Sequence, residues 1–285
     1  MGNYLSIYRP LNILFIALAQ WLCAYFLDFS ASYTSISEGG VYWLILGTAA
    51  CAAFGYWVNE ASDITRDFIN NSEPSPVTRL DSKLIYLHYL AFVSVALLAG
   101  NRLGVWFLSL FIITLLALVL YSKWLKNIAL IGNIIIAALS FVSLYAVYKL
   151  FSTVDFLLIL HFSILAAFVT LCRELVKDAE DMEGDAQTGG KTVPIVFGVN
   201  TLNLVVYIVI LFAVSFMLVS VYYQSEYLLT PLRYIYFAYC GLFVVFPLYK
   251  IAIDVRHSKS KEEYQQLSKM LKYVLFTGIL SILFF

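Results

Sequence analysis

The run LNLVVYIVILFAVSFMLVSVY, residues 202–222, goes 21 residues without one charged side chain. As a helix it would reach about 30 Å, the thickness of a bilayer's hydrocarbon core. Working outward, VWFLSLFIITLLALVLY at 105–121 reads the same way, and seven further apolar runs follow the pattern: 11–27, 41–58, 84–100, 128–148, 156–172, 233–253 and 270–285. A transmembrane β-barrel is excluded, because its strands alternate apolar and polar over about ten residues. The composition agrees. Of 285 residues, 62% are hydrophobic, 17% aromatic and 13% charged, about half the charged share of a soluble domain. The chain therefore reads as an all-α integral membrane protein, one domain over 1–285. No small-residue cleavage site follows the first run, so that run is a retained helix.

The 18 basic residues test the order of spans. Threading nine spans puts 15 of them on one side; only Arg102, Lys149 and Arg233 fall on the other. Under the positive-inside rule the N-terminus and the long loops are cytoplasmic and the C-terminus lies outside. The long loops are 59–83, 173–201 and 254–269. The last, with Arg256, Lys259 and Lys261 beside Glu262 and Glu263, reads as a solvated turn near lipid headgroups. Small residues cluster in the second span (Gly47, Ala49, Ala50, Ala52, Ala53, Gly55) and permit close helix approach.

Eleven of the 18 acidic residues lie in the first two long loops. Asn59, Asp63 and Asp67 recur every four residues as a continuation of the second span, so a helix extended by two turns would project all three from one face. Glu174, Asp178, Asp181 and Asp185 form a similar stripe continuing the sixth span; Asp81 stands too far along to join the first. One such stripe would read as a solvated helix face. Two, both fused to cytoplasmic helix ends, read as a site. Clustered carboxylates repel unless a cation sits between them. Mg²⁺ suits them, taking one or two carboxylates and completing its shell with water and phosphate oxygens. Two such clusters would clamp a diphosphate and make it a better leaving group, its departure from an allylic carbon leaving a carbocation.

Basic residues on the same side could grip free diphosphate oxygens: Arg9 before Pro10, Lys123 and Lys126 in the loop 122–127, and Arg173, Lys177 and Lys191 around the second stripe. Among the aromatics, Tyr56, Trp57, Tyr121, Phe141, Tyr145 and Tyr148 are placed to face a carbocation or line an apolar tunnel. Cys23, Cys51, Cys172 and Cys240 share no short spacing and read as buried thiols; His88, His161 and His257 are equally scattered. No nucleic-acid partner or obligate protein partner is expected. A transporter binding a divalent cation is the competing class, but transporters place such acids near the bilayer midplane.

The run Asn59-Glu60-Ala61-Ser62-Asp63-Ile64-Thr65-Arg66-Asp67 resembles the NxxxDxxxD motif of the UbiA superfamily of membrane prenyltransferases. Arg173-Glu174-Leu175-Val176-Lys177-Asp178-Ala179-Glu180-Asp181-Met182-Glu183-Gly184-Asp185, with Gly189, Lys191-Thr192-Val193-Pro194 and Gly198 downstream, is similar to its second aspartate motif. Arg9-Pro10 with Asn12, and Leu125-Lys126 with Gly132-Asn133, resemble lesser signatures. The resemblance implies nine helices around a central cavity capped by cytoplasmic loops. It implies that Asn59, Asp63 and Asp67 bind one Mg²⁺–diphosphate unit and Asp181 and Asp185 the other, with Asp178 an additional acid. Lys126 and Lys191, with Arg9, would hold the diphosphate. The implied partners are a polyprenyl diphosphate, a lipophilic acceptor and membrane lipid. The second motif is most similar to the digeranylgeranylglyceryl phosphate synthase branch, which alkylates a glycerol hydroxyl; quinone-pathway members alkylate an aromatic ring. One departure stands out: Glu73 precedes Pro74 where a basic residue is usual, which leaves room for a class I terpene cyclase that needs no acceptor.

Overall fold

The structure is a computed structural model, and residues 6–27, 39–71, 75–151 and 153–285 are described. Its helices are α1 (Pro10–Phe26), α2 (Gly40–Ser62), α3 (Ile64–Asn71), α4 (Ser82–Leu103), α5 (Val105–Lys123), α6 (Ile131–Leu150) and α7 (Phe156–Glu180). Then come α8 (Met182–Gln187), α9 (Val193–Phe197), α10 (Val199–Ser225), α11 (Thr230–Cys240), α12 (Phe246–Val255) and α13 (Lys261–Leu280). Among the described residues there is no strand, only an isolated parallel bridge between Ile128 and Lys191. Among the described residues, eight helical stretches are long and apolar enough to cross a bilayer, with mean hydropathy of 1.5 to 2.9. Helix α1, at 17 residues, is the shorter ninth apolar helix.

The stretch Thr230–Val255, the seventh of these eight, is continuous but widened. Between α11 and α12 the backbone forms a π turn over Gly241–Val245. Its cause is Pro247, which has no N–H to give to Phe243 four residues earlier and whose ring crowds that carbonyl. The freed Phe243 carbonyl instead accepts from Thr277 Oγ1 of α13 at 2.8 Å, as an apolar setting requires. Polar caps set other helix starts: Asp81 receives Lys83 N at 3.1 Å at the head of α4, and Ser260 with Glu263 makes a capping box at α13. Asp81 is thus a cap and no member of the acidic stripe.

Two of the long loops are shorter than the charge pattern suggested. Helix α7 runs on to Glu180 and is followed by α8 and α9, and α13 begins at Lys261. Charged residues there sit on helical turns that project beyond the apolar spans. The small residues of α2 do what their size allows: a Cβ on Gly47 would fall 2.3 Å from the Phe111 ring of α5. Apolar packing divides into one cluster built on α1, α2, α4, α5, α6 and the start of α7 and a second on the rest of α7 with α10 to α13. A cavity of about 330 Å³ touches both. Ile7 packs with Trp57 and Val77 at one end of the bundle, whereas Phe285 stacks edge-on to Tyr236 at the other.

Candidate active site

Both acidic motifs are built on the same local device. Helix α2 ends at Ser62, whose hydroxyl bonds back to the Val58 carbonyl at 2.8 Å, a contact that bends helices. Asp63 then takes φ −105, ψ 9, and α3 resumes one residue later. In the second motif α7 ends at Glu180, Asp181 takes φ −97, ψ 6, and α8 follows. The i to i−4 ladder survives each break: Asp63 N bonds Asn59 O at 2.9 Å and Asp181 N bonds Lys177 O at 2.9 Å. The expectation of one unbroken stripe per motif is corrected on this point. Each stripe is two helical pieces joined at an aspartate.

The short pieces α3 and α8 pack on one another across the top of the bundle. Gly184 makes this possible, since a Cβ there would meet the Arg66 carbonyl and the Asn70 amide at 2.7 Å. Its N–H donates to Asn70 Oδ1 at 2.9 Å. One guanidinium then joins the motifs: Arg66 Nε lies 2.9 Å from Asp185 Oδ1 and its NH1 3.4 Å from Asp63 Oδ1. Arg66 also donates to Asn127 Oδ1 at 2.8 Å.

Lys126 arrives from the turn between α5 and α6. A Cβ on Gly132 would sit 2.8 Å from Lys126 Cα, so glycine lets this turn lie against the head of α6. The ammonium donates to Asp63 Oδ1 and, at 3.2 Å, to Asn59 Oδ1. Burial lowers the Lys126 pKa, against the pull of Asp63. Burial raises Asp67 to about 6, with Asp63, Glu60 and Asp181 adding negative charge nearby. Asp185 is also raised to about 6 by burial, which Arg66 opposes. Asn133 donates to Asp178 Oδ2 at 2.9 Å, and Asp181 takes Lys177 at 3.7 Å and Asn70 at 3.5 Å.

Asn59, Asp63, Asp67, Asp178, Asp181 and Asp185 thus gather at one end of the bundle, with Lys126 among them. Arg9 and Arg173 line the cavity just inside. Arg9 caps α1 in the left-handed region (φ 45) and lies over the Tyr56 ring at 5.3 Å. Lys191 is placed differently: its backbone N–H bonds Asn127 O at 3.1 Å while its side chain is exposed. Of the aromatics, Tyr56 and Tyr121 line the cavity. Trp57 is buried against Tyr8 and His88 instead. Phe141, Tyr145 and Tyr148 stack in sequence along α6 on a face away from the cavity. Glu73 and Pro74 lie outside the described residues. Arg66, Asn70 and Asn127 were not legible as site residues, although Arg66 stands three positions after Asp63.

The donor set consists of carboxylate and amide oxygens, the hard ligands that Mg²⁺ takes. Among the described residues no three His, Cys, Asp or Glu side chains are grouped to hold an ion by themselves. Below this polar rim the cavity is lined mainly by apolar side chains of α1, α2, α5, α6, α7 and α13, including Phe15, Leu118, Leu139 and Ile279. Charged groups thus lie over a pocket whose lining is mainly apolar.

Residues 12–276 match the model of the UbiA prenyltransferase family. The chain is 30% identical over 278 residues to a digeranylgeranylglyceryl phosphate synthase of Methanothermobacter thermautotrophicus, spanning 95% of this chain and 92% of that one. A digeranylgeranylglyceryl phosphate synthase of Methanosphaera stadtmanae is 25% identical over 292 residues, spanning 99% and 98%. Among solved structures, a UbiA homologue from Archaeoglobus fulgidus bound to GPP and Mg²⁺ superposes with a TM-score of 0.66 at 15% identity, covering 98% of this chain and 99% of that chain.

Proposed function

The chain belongs to the UbiA prenyltransferase family, and from that premise we propose that it moves an isoprenyl group from a polyprenyl diphosphate to the hydroxyl of a glyceryl phosphate lipid. The observation that carries the reading is the Arg66 guanidinium touching Asp63 and Asp185, because it puts both motifs within reach of one diphosphate above one apolar cavity. The named relatives favour a glyceryl phosphate acceptor over an aromatic one.

Asn59, Asp63 and Asp67 on one side, with Asp181 and Asp185 on the other, would hold Mg²⁺, and Asp178 stands one turn below. Bound there, Mg²⁺ supplies positive charge that offsets the charge growing on the diphosphate as the bond breaks. Lys126 would hold a diphosphate oxygen from the opposite side, turning from Asp63 towards the ligand. Lys191 would need to swing inward to join it. The apolar lining takes the isoprenyl tail and keeps water from the reacting carbon. Tyr56 and Tyr121 line the cavity where their faces would steady an allylic cation. The allylic C–O bond breaks with its electron pair leaving on diphosphate; the acceptor hydroxyl oxygen bonds that carbon, and its proton passes to the departing diphosphate. On the positive-inside pattern these groups face the cytoplasm.

The test is transfer in lipid nanodiscs, with geranylgeranyl diphosphate as donor and a prenylglyceryl phosphate as acceptor. A prenylated product should form, and it should vanish with EDTA or with Asp63→Ala. Full turnover under both treatments would refute the reading. A hydrocarbon released without acceptor would identify a cyclase instead.

A further inference from the structure

Beneath the carboxylates the cavity carries a second charged layer that the metal and diphosphate chemistry leaves unused. Arg173 of α7, Lys272 of α13 and Arg9 at the head of α1 all line it. Arg173 precedes Asp181 by eight residues on α7, about 12 Å down the helix axis. Lys272 lies within electrostatic reach of both Arg173 and Arg9. Arg9 lines the same cavity from the head of α1, over the Tyr56 ring.

The charges there do not balance. Three cations, Arg9, Arg173 and Lys272, line the cavity with one acid, Glu174, which accepts from Arg173 at 2.8 Å and also faces Arg9, as does Glu60. Lys272 has no acidic partner among the described residues; its ammonium sits 6.0 Å from the Phe15 ring centroid. Like charges held together in an apolar cavity are costly unless an anion completes them. A hydrocarbon tail offers none, and the donor diphosphate has its own partners in the carboxylate layer. An anion carried by the acceptor fits. The separation of the layers leaves room for an allylic carbon and a glycerol hydroxyl to meet at about 3–3.5 Å between two phosphoryl groups.

We propose that Arg173 and Lys272, with Arg9 at their edge, form a binding site for the phosphate monoester of a glycerolipid acceptor, separate from the site of the donor diphosphate. The proposal rests on the reading above for the reaction, but not for the binding. It makes the headgroup phosphate, and not the lipid tail, the feature by which the acceptor is chosen. Arg173 then serves the acceptor and not the donor.

Two measurements on the full chain in nanodiscs test it. The first is binding in EDTA, without donor, of an alkylglyceryl phosphate against the same alkylglycerol lacking phosphate. The phosphorylated lipid should bind more tightly, and Lys272→Met or Arg173→Gln should each weaken it by about 10- to 100-fold, the worth of a hydrogen bond to a charged group. Lys272→Arg, which keeps the charge, should keep the preference and so separates charge from misfolding. Equal binding of both lipids to the unaltered protein would overturn the proposal. The second is steady-state transfer: Lys272→Met should raise KM for the phosphorylated acceptor and leave KM for the prenyl diphosphate in place. A rise in donor KM alone would assign these cations to the donor and also overturn it. Tight phosphate-dependent binding without transfer to any acceptor would support this site while refuting the proposed reaction.

Discussion

Gly184→Ala should separate the two halves of the active site without removing any functional group. The new methyl would lie 2.7 Å from the Arg66 carbonyl and 2.7 Å from the Asn70 side-chain amide. A backbone carbonyl cannot swing aside as a side chain can, so α8 must move off α3. Overpacking of this kind costs about 1–3 kcal/mol. The shift would also break the bond from Gly184 N to Asn70 Oδ1, worth about 1 kcal/mol. The total, about 2–4 kcal/mol, falls on the contact that aligns Asp185 with Asp63 through Arg66. At about 1.4 kcal/mol per factor of ten, kcat/KM should drop by at least about tenfold, with a raised Mg²⁺ requirement. Transfer assays at graded Mg²⁺ would measure this, beside thermal unfolding in the same detergent. Gly241→Ala is the control, since its added methyl would meet nothing within 4 Å and Gly241 is not part of the cavity lining. Wild-type kcat/KM and Mg²⁺ dependence in Gly184→Ala would refute the reasoning.

Gly132→Ala should push the Lys126 turn off α6, because the Cβ would stand 2.8 Å from Lys126 Cα; donor KM should rise by about tenfold, the worth of one charge-assisted hydrogen bond, and an unchanged donor KM would count against that placement. Asp67 and Asp185 carry pKa values raised to about 6, above the unfolded range near 4. Metal-free protein should therefore lose stability as pH rises through about 4 to 6, while Mg²⁺ affinity should fall as pH drops below about 6. Mg²⁺ titrations of activity and of melting temperature at about pH 5.5 and 7.5 check both signs, and tighter binding at the lower pH would contradict them. Thr277→Val removes the donor to the Phe243 carbonyl; it should cost about 1–3 kcal/mol of stability for a buried unpaired carbonyl, read as a lowered melting temperature with little change in KM.

The membrane architecture was legible in the sequence because hydrophobic length and basic asymmetry are both one-dimensional signals. Runs such as 202–222 could be nothing else, and Asn59, Asp63 and Asp67 announced a site through their four-residue spacing. What escaped was set by distance in space. Arg66 looks like one base among acids until α8 brings Asp185 to it. Lys272 reads as an ordinary positive residue at a helix end until α7 and α13 place it beside Arg173. The aromatic series Phe141, Tyr145, Tyr148 had the right spacing for a shared helix face, but spacing alone does not say which face meets the cavity. Nor does it show that the acidic stripes bend, since that follows from Ser62 bonding back to Val58 and from the packing of α3 on α8.

The breaks at Asp63 and Asp181 have a mechanical consequence. Each is a single non-helical residue still bonded to the turn below it, Asp63 N to Asn59 O and Asp181 N to Lys177 O, so each short helix stays tethered to its span. Gly184 ties those two helices together, which makes them one plate on two hinges. Lys126 on Asp63 and Arg66 on Asn127 hold that plate down, and both contacts must part for it to lift. In an enzyme whose product leaves diphosphate behind, the pace of turnover can then be set by how readily the plate lifts to release that ion.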